Sequence, residues 1–206
     1  MAGSFVRWCG LALCAAAVMT LALNVFVSPH LPAGPFATVA ASQVYFLRQC
    51  IASVVALLLV FGIVGIHVSR LARVGLLGTI AFVVAFTGQV LLFAIEYGQA
   101  FQVHDYALNA PAMLNAAMSD PHRPLAIGAL IAIAGFFVGW LLLAISLLVS
   151  RHFGRLGPAL IVVGLPLLFA TKGLGVWGGV ITSAVTGAGW FLIGLKMMRQ
   201  RDESTA

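Results

Sequence analysis

The sequence predicts an all-α protein, an integral membrane bundle of six transmembrane helices with both termini on the cytoplasmic side. Three observations predict it. Of 206 residues, 62% are hydrophobic and only 8% are charged, the composition of a chain whose solvent is mostly lipid. Six windows stay apolar over the roughly 20 residues that a helix rising 1.5 Å per residue needs to cross a core about 30 Å thick. Eight of the eleven Lys and Arg residues fall in alternate gaps along the chain, the charge pattern of a polypeptide threaded back and forth through a bilayer.

The windows are approximately 6–27, 43–67, 74–97, 125–149, 156–172 and 176–196. Each must be helical, because lipid offers no partner to a free N–H or C=O. The apolar run Trp8 to Val27 follows Arg7 as a leader peptide would. At about 20 residues it exceeds the roughly 7–15 of a signal peptide's apolar region, so a retained helix is expected. The fifth window is the shortest. Pro158 suits its first turn, while Pro166 removes an interior hydrogen bond and predicts a kink. Only Thr171-Lys172-Gly173-Leu174-Gly175 separates it from the sixth, which predicts a hairpin. No stretch between windows is long enough to build a soluble core, so residues 1–206 form one transmembrane domain.

With the N-terminus placed inside, Arg7, Arg70, Arg73, Arg151, Arg155, Lys196, Arg199 and Arg201 are cytoplasmic, and Arg48, Arg123 and Lys172 are outside. Eight against three is a strong bias in loops this short. The pI near 9.9 then reads as contact with anionic headgroups. Nucleic acid is not implied, since no solvated basic face with interleaved aromatics is present. The turn VSRLARVG at 68–75 echoes VSRHFGRLG at 149–157, either as a trace of a duplicated helix pair or because Arg and Gly suit any inner turn.

Helices in lipid associate through small residues and interhelical hydrogen bonds. Gly135 and Gly139 form a GxxxG step in the fourth window, and the sixth carries Gly175, Gly179, Ser183 and Gly187 beside Thr182 and Thr186. Close packing is expected there; a smooth wall along a conduction path is the alternative.

Ionisable groups inside a membrane are costly and point to function by default. Arg48 on the second span and Glu96 on the third are predicted to approach each other near the outer boundary. Gln89 is placed level with Ser53 and Cys50. The expected polar seam is Arg48, Gln49, Ser53, Gln89, Glu96 and Gln99. It either fixes helix register or opens outward as a ligand site. The connection from Gly98 to Pro124 is the longest, and long loops carry function more often than short ones. It supplies His104, Asp105, Asp120, His122 and Arg123, of which His104, Asp105 and Arg123 are the outer-loop candidates. Within it, residues 111–118 bring Met113, Leu114, Ala117 and Met118 to one face, predicting a short helix on the outer membrane surface that lids a pocket.

Chemistry beyond this is not written in the chain. His30, His104 and His122 lack a tight metal motif such as HExxH. His67 and His152 share the inner level, where a haem would want paired histidines, but they equally suit an interface beside arginines. Cys9, Cys14 and Cys50 form no CxxC motif and read as small apolar side chains. No catalytic residue, metal or cofactor is therefore implied.

From Arg73 onward, RVGLLG at 73–78, Glu96, APAMLN at 110–115 and GWLLLAISLLVSRHFGRLGPALIVVG at 139–164 carry a resemblance to an uncharacterised group of bacterial multi-pass inner-membrane proteins. The resemblance spans residues 73–196 and implies a bacterial inner-membrane location and a compact helical bundle, with no activity attached. The expectation is a non-catalytic protein whose partners are membrane lipids and a small amphipathic ligand or another membrane subunit. A small permease or proton-coupled transporter, and a membrane metallo-enzyme, are the alternatives.

Overall fold

The computed structural model describes residues 2–70, 75–120 and 122–199. It is helical, with no strand among those residues. Helix α1 covers Ala2–Ala22 and runs through a π-helical turn, Leu23–Val27, into a 3₁₀ turn, Ser28–His30. After the short α2, Phe36–Ala40, come α3 (Gln43–Val68) and α4 (Leu76–Gly98). A second π turn, Gln99–Val103, carries α4 into α5 (His104–Asn109), followed by α6 (Pro111–Ser119). Then follow α7 (Pro124–Ser150), α8 (Leu156–Ala170), a 3₁₀ turn at Lys172–Leu174 and α9 (Val176–Arg199).

Among the described residues five helices are long and apolar enough to cross a membrane: Gly3–His30, Gln43–Val68, Leu76–Asn109, Ala126–Ser150 and Val176–Arg199. The outside of the bundle is correspondingly greasy. Trp8, Phe26, Leu76, Val149 and Trp177 are all more than 60% exposed, while Gln49, Gln89 and Thr186 are buried. Trp8 and Phe26 are 18 residues apart on one continuous helix, about 27 Å at 1.5 Å per residue, close to the thickness of a hydrocarbon core. An apolar exterior around an interior that holds buried polar side chains among apolar ones suits lipid, where packing and hydrogen bonds rather than burial of grease hold helices together. The chain is a multi-pass membrane protein.

The six longest helices form a closed ring in the order α1, α3, α4, α7, α8, α9, each antiparallel to the next, with α9 returning to α1. Small residues set the contacts. Gly10 abuts Gly194, Gly187 abuts Ala17 and Gly179 abuts Asn24, so α1 and α9 meet every seven or eight residues. On α4 and α7 the backbones touch at Gly88 and Gly135, and a methyl on Gly139 would lie 2.5 Å from the Ala85 Cα. The expected GxxxG step thus packs, and so does part of the α9 stripe. A second α9 face, Gly178, Thr186 and Gly189, closes on Thr171, Gly164 and Gly157 of α8 and its ends. In the middle, Trp140 and Trp190 approach with ring centroids 5.3 Å apart.

Two expectations need correction. The fifth window is a helix of only 15 residues, about 22 Å long, and falls short of its neighbours; Pro166 lies inside it without ending it. The connection from Gly98 does not begin as a loop, because the π turn absorbs an extra residue and the helix continues to Asn109. Helix α6 forms where expected, at Pro111–Ser119, and packs onto the neighbouring short helices. Leu114 is buried with Ala37, Ala40, Tyr45, Val103 and Ala107 in a small satellite core, while Met113 points away at 63% exposed. Asn115 Oδ1 accepts from the Ala37 amide at 2.9 Å, tying α6 to α2.

The echoed Val-Ser-Arg turns differ. Arg151 is the left-handed cap of α7, at φ 54°, and is exposed. Arg70 folds inward, and residues 71–74 of its turn lie outside the described residues. All six described cations of the predicted inner set share one end of the ring, whereas Glu96, Asp105 and Asp120 share the other with Arg48, Arg123 and Lys172.

Candidate functional site

The opposite end from the basic one holds a polar network on α3. Ser42 caps that helix, its hydroxyl accepting from the Tyr45 amide at 3.2 Å. Four residues apart, Tyr45 and Gln49 then face the same way, toward α4. The Gln49 amide is almost wholly buried and uses both of its ends. Its Nε2 donates to Glu96 Oε2 at 2.8 Å and also to Gln99 Oε1, while its Oε1 accepts from Arg48 Nη1. Tyr45 donates its hydroxyl to Gln99 Oε1 at 2.9 Å. Arg48 Nε donates to Ser28 Oγ at 3.3 Å, linking α3 to the end of α1.

Arg48 and Glu96 therefore belong to one cluster without forming the direct ion pair expected. Among the described residues the ion pair is Arg123 with Asp120, at 3.5 Å and well exposed. The reason is register and rotation: Gln49, not Arg48, faces Glu96 across the α3–α4 contact, and Arg48 is turned toward Ser28. The same register puts Gln89 level with Ala56, about two turns below Gln49, and not with Ser53 and Cys50. Gln89 Nε2 donates to the Ala56 carbonyl at 3.2 Å, and its Oε1 accepts from Trp140 Nε1 at 2.9 Å. The expected seam is thus two separate nodes. Ser53 belongs to neither, since its hydroxyl returns to the Gln49 carbonyl at 2.8 Å within its own helix.

The outer-loop candidates do not converge on the network. His104 Nδ1 donates to the Ala40 carbonyl at 2.7 Å and anchors α5 to α2. Asp105 receives the Asn109 side-chain amide at 2.9 Å. Among the described residues no three His, Cys, Asp or Glu side chains gather closely enough to hold a metal. His67 stacks on Phe82 with centroids 3.9 Å apart.

Two clefts flank the network. The larger, about 470 Å³, is a recess lined by Asn24, Ser28 and Arg48 on one side and Leu168, Phe169, Thr171, Lys172, Gly178 and Gly179 on the other. Its origin is the short α8. That helix stops at Ala170 while α1 continues to His30, so a gap opens above its end. Two cations, Arg48 and Lys172, face this gap over an apolar wall. The second cleft, about 340 Å³, lies under α6 between α4 and α7, lined mainly by apolar residues with Gln99, Gln102 and Met118. Gln49 stands between the two, holding Arg48 of one and Gln99 of the other.

Sequence reasoning missed Ser28, Asn24, Tyr45 and Trp140, and it treated Lys172 as a loop charge only. For Tyr45 the four-residue spacing to Gln49 was a usable signal; the others depend on which helices meet. Fold and site together define a multi-pass helical membrane protein with a cationic recess at one end of the bundle. Comparison with protein families, with curated proteins and with solved structures finds no match to this chain.

Proposed function

We propose that this protein is a non-catalytic binder of a small amphipathic, lipid-like ligand with an anionic head, resident in a bacterial inner membrane. In this reading α8 is the sixth crossing, both termini are cytoplasmic, and the recess opens outward. What supports it is a recess that holds both Arg48 and Lys172, with Asn24, Ser28 and Thr171 as further polar lining and Leu31, Leu168, Phe169 and Val176 as its apolar wall. An anionic head between two cations with its chain along Phe169 satisfies both parts of that surface.

Native mass spectrometry of the detergent-purified protein with added oleate tests it. One oleate is expected to be retained per chain. Lys172→Glu, at an exposed position, is expected to weaken retention at least tenfold, about 1.4 kcal/mol. Equal retention by wild type and Lys172→Glu rejects the recess as the site. The topology is tested separately with a reporter fused after Ala206, which is expected to be active only in the cytoplasm; periplasmic activity reverses every side assigned to a loop. A permease reading draws less support, because Trp140, Trp190 and Gln89 fill the middle of the ring, where a path would have to run. A partner membrane subunit fits the exposed apolar exterior, but so does lipid.

A further inference from the structure

The basic end of the bundle, remote from the recess, contains a buried cation whose hydrogen bonding is incomplete. Arg70 is only 5% exposed. Its Nη1 donates to Ser146 Oγ at 3.2 Å, joining the end of α3 to α7. Its Nε and Nη2 have no acceptor among the described residues. Those two N–H groups run parallel along one edge of the guanidinium, the edge that matches a pair of oxygens on a phosphate or carboxylate. Burial disfavours the charged form and pulls the Arg70 pKa below the ordinary arginine value.

No described carboxylate can answer this edge, since Glu96, Asp105 and Asp120 are all at the opposite end. The neighbours at this end add positive potential instead. Arg7, Arg151, Arg155, Lys196 and Arg199 are all there, and Lys196 spends its ammonium on the Phe153 carbonyl. His67, one turn before Arg70, keeps a buried Nδ1 without a partner among the described residues.

We infer that the free edge of Arg70 receives a phosphate oxyanion, delivered by an anionic phospholipid headgroup or by free phosphate. Arg70 stands in the turn just beyond α3. Rotation about its own side-chain bonds carries the guanidinium from Ser146 to headgroup level while its methylene stem stays in the protein. Two oxygens of the phosphate then accept hydrogen bonds from the Nε and Nη2 N–H groups, which are idle in the buried position.

Thermal unfolding in nanodiscs tests this with three compositions: phosphatidylcholine alone, phosphatidylcholine with phosphatidylglycerol, and phosphatidylcholine with inorganic phosphate in the buffer. Phosphatidylglycerol is expected to raise the wild-type midpoint by roughly 5 °C. Arg155→Gln, an exposed cation of the same end, keeps most of that rise. Arg70→Gln and Arg70→Lys lose at least half of it, the lysine because it keeps the charge but not the edge. A rise with inorganic phosphate equal to that with phosphatidylglycerol identifies free phosphate as the source; a rise with phosphatidylglycerol alone identifies the headgroup. No wild-type rise in either, or a full rise in Arg70→Gln, overturns the inference. Should the Arg70 variants fail to fold, hydrogen exchange of residues 66–70 in the wild type decides. Slower exchange with phosphatidylglycerol supports the site, and unchanged exchange overturns it. Asp202 and Glu203 lie outside the described residues. If neutralising them destabilises the protein in phosphatidylcholine as much as Arg70→Gln does, the edge belongs to the chain's own carboxylates and the inference falls.

Discussion

Alanine at Gly88 is expected to destabilise the bundle by about 3 kcal/mol, more than any other single added methyl at the α4–α7 contact. The added carbon would sit on the carbonyl of Gly135 and 2.6 Å from the amide nitrogen of Phe136. Those are backbone atoms, so no side chain can swing aside, and α4 must separate from α7 along their shared length. Separation also threatens the bond from Trp140 on α7 to Gln89 on α4. Gly128→Ala is the control, because a methyl there meets nothing within 4 Å, and alanine favours a helix interior by about 1 kcal/mol over glycine. Unfolding in mixed micelles of increasing SDS content would measure both. Equal stability of the two variants would show that the α4–α7 contact is looser than described.

Gln49→Leu is expected to cost about 3 kcal/mol, since it removes hydrogen bonds to both Arg48 and Glu96, and bonds to charged groups contribute about 1.5–3 kcal/mol each. Leucine matches the volume but leaves the guanidinium without its acceptor and the Glu96 carboxyl without its donor. The partner substitution, Glu96→Gln, keeps an acceptor toward Gln49 and is expected to be mild. In the Glu96→Gln background the leucine should hurt less, with a coupling of about 1–2 kcal/mol, because one of the charges it strands is already gone. Strict additivity in that cycle would mean that Gln49 does not mediate between the two.

Much of the architecture was legible because a helix in lipid must be both long and apolar, and both properties are local. The limits of α3, α7 and α9 lie within about three residues of the windows 43–67, 125–149 and 176–196. The π turns at Leu23–Val27 and Gln99–Val103 were not legible, since an inserted helical residue has no compositional mark. Counting residues from the turn placed Arg48 and Glu96 in the same neighbourhood. It missed the partner of each, because a shift of one residue rotates a side chain by about 100° around its helix. The expected pocket beside both Arg48 and Glu96 is accordingly divided, with Arg48 on a recess that Glu96 does not line.

What the chain alone determined is its solvent and its repeat of long apolar helices, because hydrophobicity and length suffice for insertion. It also determined the bias of charge, since eight of the eleven cations already fall in alternate connections. Only the tertiary structure decided that α9 closes on α1, that short α8 leaves a recess, that Gln49 carries the polar network and that Arg70 is buried beside Ser146. Each of those depends on the rotation and relative height of two helices far apart in sequence. Close backbone contact between glycines sets both, and the pattern of apolar residues does not encode it.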